Sequence, residues 1–77
     1  MNIRSNLIYF RKKMKLTQRE LGRLTSLSFM TINRIETLAT NPDKASIETV
    51  SKLAAYFNVS LDDFVHKDLS KEESVTE

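Results

Sequence analysis

Cysteine is absent from the 77 residues, so the chain has no disulfide framework and no thiolate metal site. Its one histidine, His66, cannot by itself build a metal cluster or a catalytic triad. Glycine and proline occur once each, as Gly22 and Pro42; so little punctuation suits a compact helical bundle. No apolar run approaches the ~20 residues that a helix needs to cross a bilayer. The first apolar stretch is broken by Arg4 and then by Arg11-Lys12-Lys13, so there is no signal-peptide pattern. A nucleophile–base constellation and a phosphate-binding loop are missing too, which argues against an enzyme. The expectation is a soluble cytoplasmic protein with no cofactor and no metal. One small domain fits the length. Such a domain buries only about 60% of its unfolded surface, so its stability is modest or shared with a partner subunit.

What the chain does have is charge, unevenly placed. The net charge of +2 conceals eight Lys and Arg against two acids in residues 1–36, and four against eight in residues 37–77. A basic half next to an acidic half points to a polyanion on one side of the molecule.

Apolar spacing predicts helices throughout and no strands. Ile3, Leu7, Phe10 and Met14 recur at steps of three and four, with a basic outward face. Lys15-Leu16 connects this helix to Thr17, which has Glu20 at capping-box spacing. Leu21 and either Leu24 or Thr25 then face inward. Ser26-Leu27-Ser28 breaks the pattern, and Ser28 is placed to cap a second short helix over about 28–36. Stepping about 100° per residue from an inward Ile32 puts Ile35 inside and Met30, Asn33 and Arg34 outside, with Phe29 and Thr31 on the edges. After Glu36 a loop holds Pro42, with Leu38 packed beneath it. Ser46 caps a helix from Ile47 to about Phe57, with Ile47, Val50, Leu53, Ala54 and Phe57 on one face. Asn58 is a left-handed stop. Ser60 with Asp63 opens a last short helix through Leu61, Phe64 and Val65. Residues 1–66 form the domain, and 67–77 read as a polar acidic tail without fixed structure.

Leu7 with Phe10-Arg11, Leu16-Thr17-Gln18, Leu21, Thr31-Ile32, Arg34-Ile35-Glu36 and Asn41-Pro42 form an ordered set. Leu53-Ala54, Phe57 and Val59-Ser60-Leu61-Asp62 extend it. This set resembles the lambda-repressor/Cro-type helix-turn-helix domain over about residues 6–66. The resemblance implies an all-α, five-helix DNA-binding fold with helices 2 and 3 as the helix-turn-helix. It also implies that Gln18 touches a phosphate and braces the recognition helix. Phe29, Met30, Thr31, Asn33 and Arg34 would meet bases or phosphates, and Arg11 with Glu36 would be a structural pair. The chain departs from the family at Gly22, where alanine is usual, and at Ser26, where glycine is usual. Phe29 and Met30 are apolar where family members commonly have a polar residue. The connection from Pro42 to Ser46 is a few residues longer.

Each candidate has a bland alternative. Arg34 reads a guanine, binds a phosphate, or makes a surface salt bridge. Asn33 reads an adenine or is simply solvated. Thr31 meets a phosphate or a thymine methyl, or packs half-buried. Phe29 and Met30 touch thymine methyls, or pack against the turn or a neighbouring subunit. Thr17 and Ser28 are caps first, at helix N-termini that also attract phosphate. Lys15 and Arg19, like Lys12, Lys13 and Arg23, are phosphate candidates or solvated cations.

The resulting expectation is a transcriptional regulator, specifically a repressor, that binds double-stranded DNA as a homodimer on a pseudo-palindromic operator. Leu61, Phe64, Val65 and Leu38 are its candidate dimer surface. The alternative is a protein-interaction module on the same fold, either an antitoxin bound to a toxin or the target of an anti-repressor. Nothing in 77 residues leaves room for a separate sensor domain.

Overall fold

The computed structural model describes residues 2–37 and 47–71. Five helices follow in order: α1 (Ile3–Lys13), α2 (Gln18–Thr25), α3 (Phe29–Thr37), α4 (Ile47–Tyr56) and α5 (Leu61–His66). The expected loop around Pro42, the cap at Ser46 and the position of Leu38 lie outside the described residues.

Local chemistry sets where the helices begin and end. At α2 both halves of the capping box form: Glu20 N donates to the Thr17 hydroxyl at 3.0 Å, and Thr17 N donates to Glu20 Oε1 at 2.8 Å. The bond from the Thr17 backbone N–H, with a smaller contribution from the Thr17 hydroxyl, stabilises the ionised carboxyl, so the Glu20 pKa lies below its ordinary value. Ser28 accepts from Thr31 N at 3.1 Å and Ser60 from Asp63 N at 3.1 Å, so both act as the expected caps. Asn58 takes the left-handed conformation expected of it, with φ 62°. Lys15, with φ 59°, turns the chain the same way between α1 and α2. Its sequence context gives no warning of this, since lysine is not a favoured left-handed residue.

The core is built from Ile3, Leu7, Leu21, Ile32, Ile35, Val50, Leu53, Ala54, Phe57 and Phe64, which draws on all five helices. Phe57 is its aromatic hub, stacked on Phe10 at 4.9 Å between centroids and tilted against Phe64 at 6.0 Å. Three expectations need correction. Phe64 is fully buried and is core, not dimer surface. Ile47 is 70% exposed and does not share the inward face of α4; as the first residue of that helix it precedes the turn that packs. Met14 ends up exposed, because α1 stops at Lys13 and Met14 is its C-cap. The choice between Leu24 and Thr25 resolves to Thr25. Leu24 is half exposed, whereas Thr25 is buried with its hydroxyl donated to Leu21 O at 2.7 Å.

Asn6 is the buried polar residue that joins the two ends of the domain. Its Nδ2 donates to Phe64 O at 2.8 Å and to Lys67 O at 2.7 Å, and its Oδ1 accepts from Leu69 N at 3.0 Å. Asn2 adds bonds from its backbone N to Val65 O and from its Nδ2 to His66 O. Residues 67–71, assigned from composition to the acidic tail, are therefore held against α1, and residues 69–71 are helical.

Candidate nucleic-acid interface

The turn between α2 and α3 rests on two residues. Ser26 is left-handed, with φ 60° and ψ 33°, as its turn position requires where glycine would be usual. Gly22 lies under the turn, and a Cβ added there would stand 2.8 Å from Leu27 O and 3.3 Å from Phe29 N. The missing side chain thus lets α2 approach the backbone that leads into α3. Leu27 N closes the turn on Gly22 O at 2.8 Å.

This geometry buries Ile32, Ile35 and Glu36 of α3 and leaves its other face open. Met30 is 58% exposed, and Arg34 is exposed with no ion-pair partner among the described residues. Asn33 and Thr31 are half-buried. The Thr31 hydroxyl is shared with that of Ser28 at 2.9 Å, which ties both to the helix start. Phe29 sits at the margin with the Arg19 guanidinium over its ring, 4.6 Å from the centroid. Arg19 and Phe29, read separately from the sequence, form one cation–π unit here. Thr17 and Lys15 are exposed at the start of α2, on the same side of the chain's order as the basic last turn of α1 (Arg11, Lys12, Lys13).

Behind the exposed face runs a continuous polar network. Arg11 Nε donates to Glu36 Oε2 at 2.6 Å and its Nη2 to Glu36 Oε1 at 2.9 Å, a bidentate pair. Hydrogen bonding to Glu36 is the chief cause holding the Arg11 pKa above its ordinary value; burial opposes it and the charge of Glu36 adds to it. Arg11 Nη1 also donates to Leu16 O at 2.9 Å, fixing the connection that delivers Thr17. Arg4 Nε donates to Glu36 O at 2.8 Å. Gln18 then bridges outward: its Nε2 donates to Glu36 Oε1 at 3.0 Å, and its Oε1 accepts from Asn33 Nδ2 at 3.0 Å. The Arg11–Glu36 pair matches expectation. The Gln18–Asn33 bond is a brace on α3 of the kind the resemblance implies for Gln18; Asn33 as its partner was not legible, because residues 15 apart share no helix and meet only once the turn has formed.

Two capped helices across a left-handed turn, the second with a buried apolar stripe and an open polar face, define a helix-turn-helix unit. Among the described residues, no helix is long and apolar enough to cross a membrane. The chain belongs to the Cro/C1-type helix-turn-helix family: the family model described as helix-turn-helix matches residues 7–64, well over half of the chain. It is accordingly a DNA-binding regulator. No curated protein and no solved structure matches it.

Proposed function

We propose that the chain is a cytoplasmic, sequence-specific repressor that binds double-stranded DNA as a homodimer on a pseudo-palindromic operator and catalyses no reaction. The observation that carries this reading is the exposed face of α3, where Arg34, without an ion-pair partner among the described residues, and the half-buried Asn33 stand beside Met30. These groups are suited to base edges: guanidinium to guanine, carboxamide to adenine, thioether to a thymine methyl. Lys15, Arg19, Gln18 and the N-terminal ends of α2 and α3 at Thr17 and Ser28 supply phosphate contacts that fix the register. Gln18 retains one amide hydrogen for this after its bond to Glu36.

A single small module reads few base pairs, so two copies with half-sites about 34 Å apart, or a multiple of it, are expected. Ile47, Leu61 and Val65 line one groove with Asp62 and His66. These residues replace Phe64 in the expected dimer surface.

Selection from a random DNA pool at two salt concentrations tests the reading. A palindromic motif should emerge, with affinity falling steeply as salt rises. Weak, uniform binding with no motif would overturn it in favour of a protein-interaction module, an antitoxin or an anti-repressor target, that uses the same exposed face.

A further inference from the structure

The network behind α3 has a direction imposed by chemistry. Glu36 receives two hydrogen bonds from Arg11, and a carboxylate so engaged can only accept. The group that Gln18 turns toward Glu36 Oε1 at 3.0 Å must therefore be its NH2. Inverting the Gln18 amide would set two acceptor oxygens against each other. With its nitrogen committed, Gln18 has only its carbonyl to offer Asn33, and Asn33 must answer with its own NH2 at 3.0 Å. Each amide orientation follows from the one before it, back to a guanidinium that never loses its proton.

The consequence falls on the DNA-facing residue. Asn33 Oδ1 has no partner among the described residues. Among those residues, no buried side-chain nitrogen or oxygen lacks a partner, so this oxygen is open to solvent. Asn33 Nδ2 carries two hydrogens, one of which goes to Gln18. What remains is an acceptor with a single donor beside it.

We propose that Arg11, Glu36 and Gln18 act as a polarity relay that locks the Asn33 carboxamide with its oxygen outward, making Asn33 the residue that selects adenine. The inference rests on the DNA-binding reading above and adds to it what fixes the amide and so excludes guanine. Adenine presents an N6 donor and an N7 acceptor in the major groove, which match the two remaining Asn33 groups. Guanine there offers acceptors only, and thymine an acceptor and a methyl, so both oppose an outward oxygen. A freely rotating asparagine amide would present two donors to guanine equally well. Arg11, Glu36 and Gln18 are positioning residues in this scheme, and Asn33 is the contact.

The test uses the full chain and the motif it selects. Wild-type protein should require adenine at one position per half-site. Replacing that adenine by nebularine, which lacks the 6-amino group, should weaken binding on the order of tenfold. Asn33→Ala should bind both duplexes equally. Glu36→Gln, whose own amide can offer either a donor or an acceptor to Gln18, frees the relay to invert. It should admit guanine at the same position while leaving the preference at other positions intact. Should that variant fail to fold, judged by circular dichroism, Gln18→Ala removes the acceptor that holds the Asn33 amide and should likewise admit guanine at that position; an unaltered preference there overturns the relay. Tolerance of nebularine by the wild type overturns the assignment of Asn33, and an unaltered base preference in folded Glu36→Gln overturns the relay. Failure to select any motif would instead remove the DNA reading on which both depend.

Discussion

Phe29 begins α3 and stands, with Met30, among the exposed large apolar residues. An aromatic ring at the start of α3 looks like a thymine-methyl contact or a subunit contact. The structure gives the ring a nearer partner, the guanidinium of Arg19 at 4.6 Å. A cation–π contact at an exposed site contributes about 0.5–1 kcal/mol. That is enough to bias the rotamers of a long side chain but too little to hold a fold. In the proposed function, Phe29 thus supports Arg19, the proposed phosphate ligand. Phe29→Ala should weaken DNA binding by about two- to fivefold on all sequences alike, and should add almost nothing to Arg19→Ala in a double-mutant cycle. Phe29→Tyr should bind as wild type. Loss of selection at a single thymine in Phe29→Ala would instead place the ring on the base.

At the scale of elements, signals carried within a few residues were legible in the sequence and signals carried across the fold were not. The Thr17–Glu20 box, the caps at Ser28 and Ser60 and the left-handed Asn58 all agree with the sequence reading, because each depends on side chains and backbone within three residues. The same holds for the inward Ile32 and Ile35 and the outward Met30 and Arg34, which a single helical period fixes. Arg11–Glu36 was accessible only through the family resemblance. Asn6 was missed, because a polar residue beside Leu7 is indistinguishable from a surface residue until α5 arrives to be capped. Ile47 and Met14 were misplaced because periodicity does not say where a helix starts to pack.

Two predictions belong to this scale. Asn6→Ala removes the three hydrogen bonds that Asn6 makes with Phe64 O, Lys67 O and Leu69 N, and should cost about 2–3 kcal/mol in urea denaturation. The second concerns pH. Glu20 has a lower pKa in the folded chain than its ordinary value, chiefly through its bond from the Thr17 backbone. The unfolded state therefore binds the proton more tightly. The stabilisation is present above the ordinary carboxyl range and is lost as pH falls through the folded-state pKa. Glu20→Gln keeps a capping-box partner that does not titrate. Its melting temperature should fall less than that of the wild type on acidification from neutrality; parallel curves would show that Glu20 plays no part in the acid limb.

For the whole molecule, the division of charge acquires a structural sense. The basic half of the chain contains α1, α2 and α3, and the acidic half contains α4 and α5. The basic elements and the elements lining the Ile47–Leu61–Val65 groove are thereby separated along the chain. A regulator needs this separation if its copies are to meet through one surface while each engages DNA through another. In the proposed function the open face of α3 reads bases and does more than bind phosphate, and Arg34 is the residue on which the two diverge. The most direct measurement is the affinity of wild type and Arg34→Ala for the selected operator and for a random duplex at one salt concentration. Arg34→Ala should lose about 1–3 kcal/mol on the operator and relax selection at one guanine, with little change on random DNA. An equal loss on both duplexes, with the selected motif unchanged, would make Arg34 a phosphate contact and contradict base reading by Arg34.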